Sequence, residues 1–542
     1  MTKTVSDEIV VWQDHLIQTR FTINGAVFLN LVVQTNSGYA CFLEQSLNPP
    51  TVTTSTIPSR SFSQRFVSLF RIAGRFSLGG KSALRYGISE AKPHAHAVEG
   101  TVHLASSIMT PQLPVEVWRQ IFSLLIQVPG VLLSDRLDPF YETCSSDVYW
   151  NMTPSTRLAL LLVSKDWYSI VSEYIHEYIL LTCSKQVAIF ADRLEKSKAA
   201  DGAHALGSLT RRVDVQLHNS HLDDASHLAR LLRCTPNLEI FINSNFYMSL
   251  TPTSQAIPPP MQTPTVVIQA LLMTCPHSLR RVEWTCNESP GWSDLMDILR
   301  DLRNLRSLTL ANIYGSFSEK PRQEHLILPN LRTLVLGDSP SFSHASLGNV
   351  PLNTLLLMLS KSPDQLPCLY RLEGFSPFSP DFLHTHGHKI RIVRTVAYTP
   401  LLPEIIAKCP NLETFVTIFP HQQLDNLYHP SLKRIGIFPI SEDLVGVPVQ
   451  IFAAYIMKPL EDLMCQIEES NLPKLTQIRI RNTGTLAGVT EHAWFIQKWR
   501  HRWGSRGVRF DDKDGNPFQA DIPQTSDGLE VYHALASALD FF

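Results

Sequence analysis

The chain has no apolar run of the about eighteen residues that a membrane helix requires. Its 542 residues carry a formal charge of −2, with a pI near 6.9. The first absence leaves a membrane span unsupported, and the second removes any global electrostatic pull toward nucleic acid. Nine cysteines are an odd number, and no two lie closer than Cys275 and Cys286. Neither a zinc CxxC pair nor a compact disulfide framework is offered, and reduced, mostly buried thiols are expected. The opening MTKTVSDEIVVWQ lacks the basic start, apolar core and small-residue cleavage site of a secretory signal, so a cytoplasmic or nuclear protein is expected. Catalytic motifs are equally sparse, since neither HExxH nor GxSxG occurs. In Gly74-Arg-Phe-Ser-Leu-Gly79-Gly80-Lys81-Ser82 the first glycine stands one residue too far from the lysine for a phosphate loop. His384, His386 and His388 alternate without a neighbouring acid or cysteine, and Gly387 points to a turn. Asp512, Asp514 and Gly515 would put Phe510 at the first ligand position of a calcium loop, so a β-turn is expected there. No catalytic residue, metal or cofactor is expected.

What is present is apolar surface in excess. In Leu113-Pro114-Val115-Glu116-Val117-Trp118-Arg119-Gln120-Ile121-Phe122-Ser123-Leu124-Leu125, the residues Val117, Ile121, Leu124 and Leu125 make one helical stripe, and Trp118, Phe122 and Leu125 make a second beside it. A helix apolar most of the way round needs neighbours on two sides or a partner. Pro114 suits a first helical turn, and Glu116 meets the positive end of the helix dipole. A second helix is expected from Thr153 and Pro154 through Leu158, Leu161 and Leu162. A third follows with Trp167, Val171, Tyr174 and Tyr178 on one stripe, widened by Ile170, Ile175 and Ile179. Three such helices are marginal alone.

These residues resemble the F-box family, whose pattern is Leu-Pro-x-Glu, an Ile-Phe-x-x-Leu helix and a Leu-x-x-Val-(Cys/Ser)-(Lys/Arg)-x-Trp helix. Here they are Leu113, Pro114, Glu116, Ile121, Phe122 and Leu125, then Leu160, Val163, Ser164, Lys165 and Trp167. The match covers about residues 109–182, and departs from the family in a longer connector, Ile126 to Met152, that includes Cys144, Asp147 and Trp150. The resemblance implies docking onto a Skp-family adaptor, and through it a cullin–RING ubiquitin ligase, with Leu113, Pro114, Ile121, Phe122, Val163 and Trp167 as the adaptor-binding residues. The chemistry would then belong to other subunits.

A repeated phrase fills the C-terminal half. Leu279-Arg-Arg-Val282-Glu-Trp284, Leu305-Arg-Ser-Leu308-Thr-Leu310 and Leu331-Arg-Thr-Leu334-Val-Leu336 follow one another at a spacing of 26 residues. Degenerate copies stand at Leu412-Glu-Thr-Phe415, Leu432-Lys-Arg-Ile435-Gly-Ile437 and Leu475-Thr-Gln-Ile478-Arg-Ile480. L-x-x-L-x-L at such a period is the leucine-rich signature, in which each unit gives one short strand that buries its face only against a stacked neighbour. Helical segments lead into the phrases and stop at Pro236, Pro276 and Pro410. This resembles the irregular leucine-rich domains behind F-box modules in large fungal families.

The expected fold is therefore α/β, a short all-α module at 109–182 followed by a curved solenoid at 183–510 of about eight to ten units. The solenoid would bind an unknown protein substrate on its strand-lined face, where Arg281, Glu283, Ser307, Thr309, Arg434 and Arg479 point outward. The competing reading is a non-enzymatic scaffold whose helical module only caps the array. The proline-rich stretch Thr251 to Thr265 reads as a loop. The helix with Trp494, Phe495, Lys498, Trp499, Arg500, Arg502 and Trp503 reads as a terminal cap rather than a nucleic-acid or membrane patch. Residues 511–542 read as a poorly ordered tail.

Residues 1–108 match neither module. Residues 51–100 hold seven Lys or Arg against two acids, and with Arg65 to Ile72 they read as a mostly disordered extension. Met109 is the expected native start, since Met109-Thr-Pro-Gln-Leu113-Pro114 would open directly onto the first helix. Mass spectrometry of the native N-terminal peptide checks this, and any peptide from before Met109 refutes it.

Overall fold

The computed structural model describes most of residues 114–518 with side chains, short connecting segments excepted, and the backbone of four strands within residues 8–41. Thr153, Pro154, Leu158, Met109, Leu113, the glycine-rich stretch at 74–82, the connector residues Cys144, Asp147 and Trp150, and the tail from 519 lie outside the described residues. The chain divides into two compact units, Met1–Gln112 and Leu113–Phe542.

In the first unit, strands Glu8–Trp12 (β1), Leu16–Ile23 (β2), Ala26–Thr35 (β3) and Gly38–Cys41 (β4) form an antiparallel meander. These strands lie within the expected N-terminal extension, and residues 42–108 lie outside the described residues. Val, Ile, Thr and Phe crowd residues 16–35, and Asn24-Gly25, the dipeptide favoured in two-residue hairpins, separates β2 from β3.

The second unit is mixed α/β and is dominated by one sheet of twelve parallel strands in chain order. They are Tyr178–Leu181 (β5), Arg212–Val215 (β6), Ile240–Asn243 (β7), Arg281–Trp284 (β9), Ser307–Leu310 (β11), Thr333–Leu336 (β12), Arg371–Gly374 (β13), Ile392–Thr395 (β14), Thr414–Phe419 (β15), Arg434–Pro439 (β16), Gln477–Ile480 (β17) and Arg509–Asp511 (β18). Met261–Gln262 (β8) and Glu288–Ser289 (β10) pair separately. All six leucine phrases coincide with strands, and the strand number exceeds the eight to ten units expected from the phrases.

Register explains the pattern. The second residues of the strands, from Ile179, Val213 and Phe241 through Leu308, Leu334 and Leu372 to Ile435, Ile478 and Phe510, stand in line across the sheet. They are buried in a single core with the helices. A parallel sheet whose strands follow chain order through right-handed crossovers places its connecting helices on one face. Those helices include Ser184–Asp201, Leu222–Leu232, Thr265–Thr274, Trp292–Asp301, Val350–Leu359 and Lys458–Glu469. First and third strand residues face the other way.

The turns between helix and strand are tied by asparagine. Asn237, Asn304, Asn330 and Asn411 each donate from Nδ2 to a main-chain carbonyl of the preceding unit, on Ser208, His277, Arg303 and His388, at 2.7–2.9 Å. Asn304, Asn330 and Asn411 each stand just before the leucine that opens a phrase, and Asn237 stands just before Leu238, two residues ahead of β7.

Both ends of the array differ from expectation. The helix Lys165–Glu177 stops at Glu177, and Tyr178 and Ile179, expected on its apolar stripe, begin β5. The run Tyr-Ile-Leu-Leu pairs in register with Arg212–Val215, and that pairing overrides the helical periodicity. At the other end Asp511 is buried in β18, and Phe518 packs on Phe510 at 4.8 Å, so order extends past the expected boundary at Asp511. The helix Ala493–Ser505 buries Trp499 and Trp503. It pairs Lys498 with Glu461, and Arg502 with Glu468 at 3.0 Å, in keeping with a cap. His386 ends the helix Pro380–His386, buried with Nε2 2.7 Å from the Leu359 carbonyl. Burial lowers its pKa to about 4, against the opposing pull of that carbonyl contact. Asp512 and Gly515 form the expected turn, with Gly515 N donating to the Asp512 carbonyl at 3.1 Å.

Two substitutions test this packing. Asn330→Ala should cost about 1 kcal/mol in thermal melts by removing one inter-unit hydrogen bond. Gly374→Ala places a Cβ 2.2 Å from the Leu336 carbonyl oxygen and should cost about 1–3 kcal/mol by overpacking a strand junction.

Candidate functional site

Two surfaces hold the residues singled out by the sequence. The first is the helical module. Val115–Ile126 forms the first helix, with Pro114 and Glu116 at its start. Residues 157 and 159–161 are helical, and Ser164 caps Lys165–Glu177 by accepting a hydrogen bond from Trp167 N at 3.1 Å. Arg157 donates to the Ile126 carbonyl at 3.2 Å, where a cation meets the negative end of the first helix. Phe122, Ile126, Leu160, Ile170 and Val171 form a small core of their own, flanked by the partly buried Trp118, Ile121 and Trp167. Trp118, Phe122 and Trp167 make a three-ring cluster with centroids 4.8–5.6 Å apart.

Phe122 is fully buried in the core of the module, covered by the two tryptophans. Pro114 and Val163 are exposed, and Ile121 and Trp167 are partly so. Leu113 lies outside the described residues. Beside these, Leu124 is 76% exposed and Leu162 77% exposed. Both were visible in the sequence as helix residues, and neither carries a family motif position.

The second surface is the helix-free face of the sheet, and a segment of the chain lies across it. Residues 130–141, Leu137 lying outside the described residues, cross the strands in sheet order. Arg212 on β6 donates to the Val131 carbonyl at 2.6 Å, and Arg281 on β9 to Leu133 at 3.3 Å. Arg371 on β13 donates to the Arg136 carbonyl, and Arg479 on β17 to that of Phe140, both at 2.9 Å. Side chains anchor the strap between these points. Ser134 donates to Glu239 at 3.2 Å, Arg332 pairs with Asp135 at 3.2 Å, and Arg434 pairs with Asp138 at 3.3 Å. Arg136 lies 3.5 Å from Glu283 and 3.9 Å from Glu373. Phe140 is fully buried, with the guanidinium groups of Arg434 and Arg479 over its ring at 5.3 and 4.8 Å. The ring lies over Gly436, where an added Cβ would touch it at 3.4 Å and stand 3.1 Å from Val416 Cγ2.

The face under the strap is polar and paired within itself. Arg212 and Asp214, Arg281 and Glu283, and Arg371 and Glu373 are ion pairs between first and third residues of one strand. Arg394 adds a second cation to Glu373 at 2.9 Å. Burial alone would raise the Glu283 and Glu373 carboxyls, but the surrounding arginines, Arg281 and Arg136 at Glu283 and Arg371, Arg394 and Arg136 at Glu373, bring both down to about 2. The hydroxyls of Ser307, Thr309, Thr333 and Thr414 occupy the same face, fully buried and without a hydrogen-bond partner.

All six residues expected to face a substrate do lie on the helix-free side, at first and third strand positions. They do not form an open surface, because Glu283, Ser307, Thr309 and Arg479 are buried and Arg281, Glu283, Arg434 and Arg479 hold the strap. The sequence reading passed over the strap itself and Arg212, Arg371, Glu373 and Arg394. One signal was available. Arg-Val-Asp, Arg-Val-Glu, Arg-Leu-Glu and Arg-Phe-Asp recur at residues 212, 281, 371 and 509, and this spacing puts both charges on one side of a strand. Among the described residues no group of three or more candidate ligands is arranged for a metal, and no helix is long and apolar enough to cross a membrane. No family model matches the chain, and no curated protein matches it either.

Two outcomes are expected. Phe122→Ala should destabilise the helical module by about 3–5 kcal/mol, seen as early loss of helix signal on heating. The two glutamates are depressed from 4.5 to about 2, so their contribution to stability is complete above about pH 4.5 and is lost as the pH falls toward 2. The melting temperature should drop through that window, and Glu283→Gln with Glu373→Gln should flatten the drop while lowering stability at neutral pH.

Proposed function

We propose that this chain is the substrate-recognition subunit of a Skp–cullin–F-box ubiquitin ligase, its helical module being an F-box and its twelve-strand array a leucine-rich-repeat-like solenoid. The observation that carries the reading is the exposure of Leu124 and Leu162 on a module whose own core is already closed by Phe122 and the two tryptophans. A helix pair that only caps a repeat array presents a polar outer face. Two leucines more than three-quarters in water, with Val115 and Val163 also exposed, fit a surface completed by another protein. A Skp-family adaptor is that protein in this reading, and the chain supplies recognition rather than catalysis. The absence of a linker between Glu177 and β5 favours the second reading, in which the module serves the array alone.

Co-purification of the full chain with a recombinant Skp-family adaptor decides between them. The native chain should retain the adaptor, and Leu124→Asp with Leu162→Asp should weaken capture by at least about tenfold, equivalent to about 1.4 kcal/mol, with an unchanged melting temperature. Failure of the native chain to retain the adaptor overturns the proposal.

A further inference from the structure

We infer that the helix-free face of the sheet is a groove for an extended peptide, and that residues 130–141 are an internal ligand which a partner segment of similar chemistry displaces. The inference does not depend on the adaptor reading, and loss of adaptor capture leaves it standing.

Three features separate the strap from the body of the fold. First, among its described residues no side chain joins the apolar layer between sheet and helices, and Val131 packs in a small separate cluster with Tyr178, Leu132 and Leu180. Second, the most deeply buried charges beneath it are paired without it. Arg212 with Asp214, Arg281 with Glu283, and Arg371 and Arg394 with Glu373 keep their partners when the strap leaves, and the more exposed Arg332 and Arg434, which give up Asp135 and Asp138, then face water. Third, the strap is an incomplete complement. The buried hydroxyls of Ser307, Thr309, Thr333 and Thr414 meet no partner, and a ligand that reaches them gains bonds that the strap does not make.

The contacts also specify the occupant. Four arginines read main-chain carbonyls, which every peptide has, so the groove accepts an extended chain as such. Selectivity comes from two side-chain anchors. A cation is held by Glu283 and Glu373, as Arg136 is now. Four residues later an aromatic ring is held beneath Arg434 and Arg479 over Gly436, as Phe140 is now. The partner is therefore a disordered or loop segment carrying a basic residue and, four positions on, an aromatic one. Because arginine–carboxylate and cation–ring contacts dominate, its affinity falls as salt rises.

The probe is a synthetic peptide of residues 130–141, titrated against the native full chain and against a full-length Arg136→Ser, Phe140→Ala variant whose strap is weakened. The variant should bind the peptide at least about tenfold more tightly than the native chain, and the same peptide carrying R136E and F140A should not bind. Binding to neither chain, or equally to both, overturns the inference. Should the variant fail to fold, hydrogen exchange on the native chain decides. Amides of 131–141 that exchange through a local opening, well ahead of the strand amides, support a displaceable strap, and exchange only together with the strands refutes it.

Discussion

A four-residue strand buries too little to persist alone, and the second unit is built almost entirely from such strands. What holds it is register. Each second-position side chain lies against its counterpart one strand away, from Ile179 at one edge to Phe510 at the other, and the helices cover that line. Every other feature follows from keeping this alignment. The asparagine bonds between units, the close approach at Gly374 and the buried tryptophans of the last helix each prevent one unit from sliding against the next. Stability is then a sum of nearest-neighbour terms, and the ends, where a neighbour is missing, need special treatment.

The two ends solve that problem differently. At the C-terminal edge a helix rich in tryptophan closes the core and neutralises its cations against the acids of the helix before it. At the N-terminal edge the helical module runs straight into β5, and Glu177 bonds Arg211 through both its carbonyl and its side chain. The module thus has its own core and yet shares an edge with the array. The exposed leucines belong to the side of this arrangement that neither core needs.

Much of the fold was legible because leucine periodicity reports directly on the buried side of the strands. The phrases at Leu279, Leu305, Leu331, Leu412, Leu432 and Leu475 all fell on strands. Those that escaped carry substitutions at the informative positions. Gly374 ends β13 where a leucine would stand, Thr395 ends β14, and β5 continues the helical spacing of the segment before it. The strap was not legible at all. Its contacts span up to 339 residues, and the atoms that the arginines seek are carbonyl oxygens, which no sequence distinguishes. Its charged anchors left one trace, the recurring Arg-x-Asp or Arg-x-Glu, and each copy taken singly reads as ordinary strand surface until something is seen lying upon it. The helical module was half legible. Family spacing picked out the aromatic residues that build the module, and its outermost leucines emerged only from their exposure.

The strap begins a few residues after the first helix ends, and its far end reaches β17. One stretch of backbone therefore touches the beginning and the end of the array at once. A polymer chain stitched to itself in this way resists being pulled open from either side, because unzipping the last strands must also drag on the first helix. If a binding partner lifts that stitch, the terminal strands lose their tether to the N-terminal helices in the same step. Occupancy of the groove would thereby become a change of stiffness along the array, with no joint needed to transmit it.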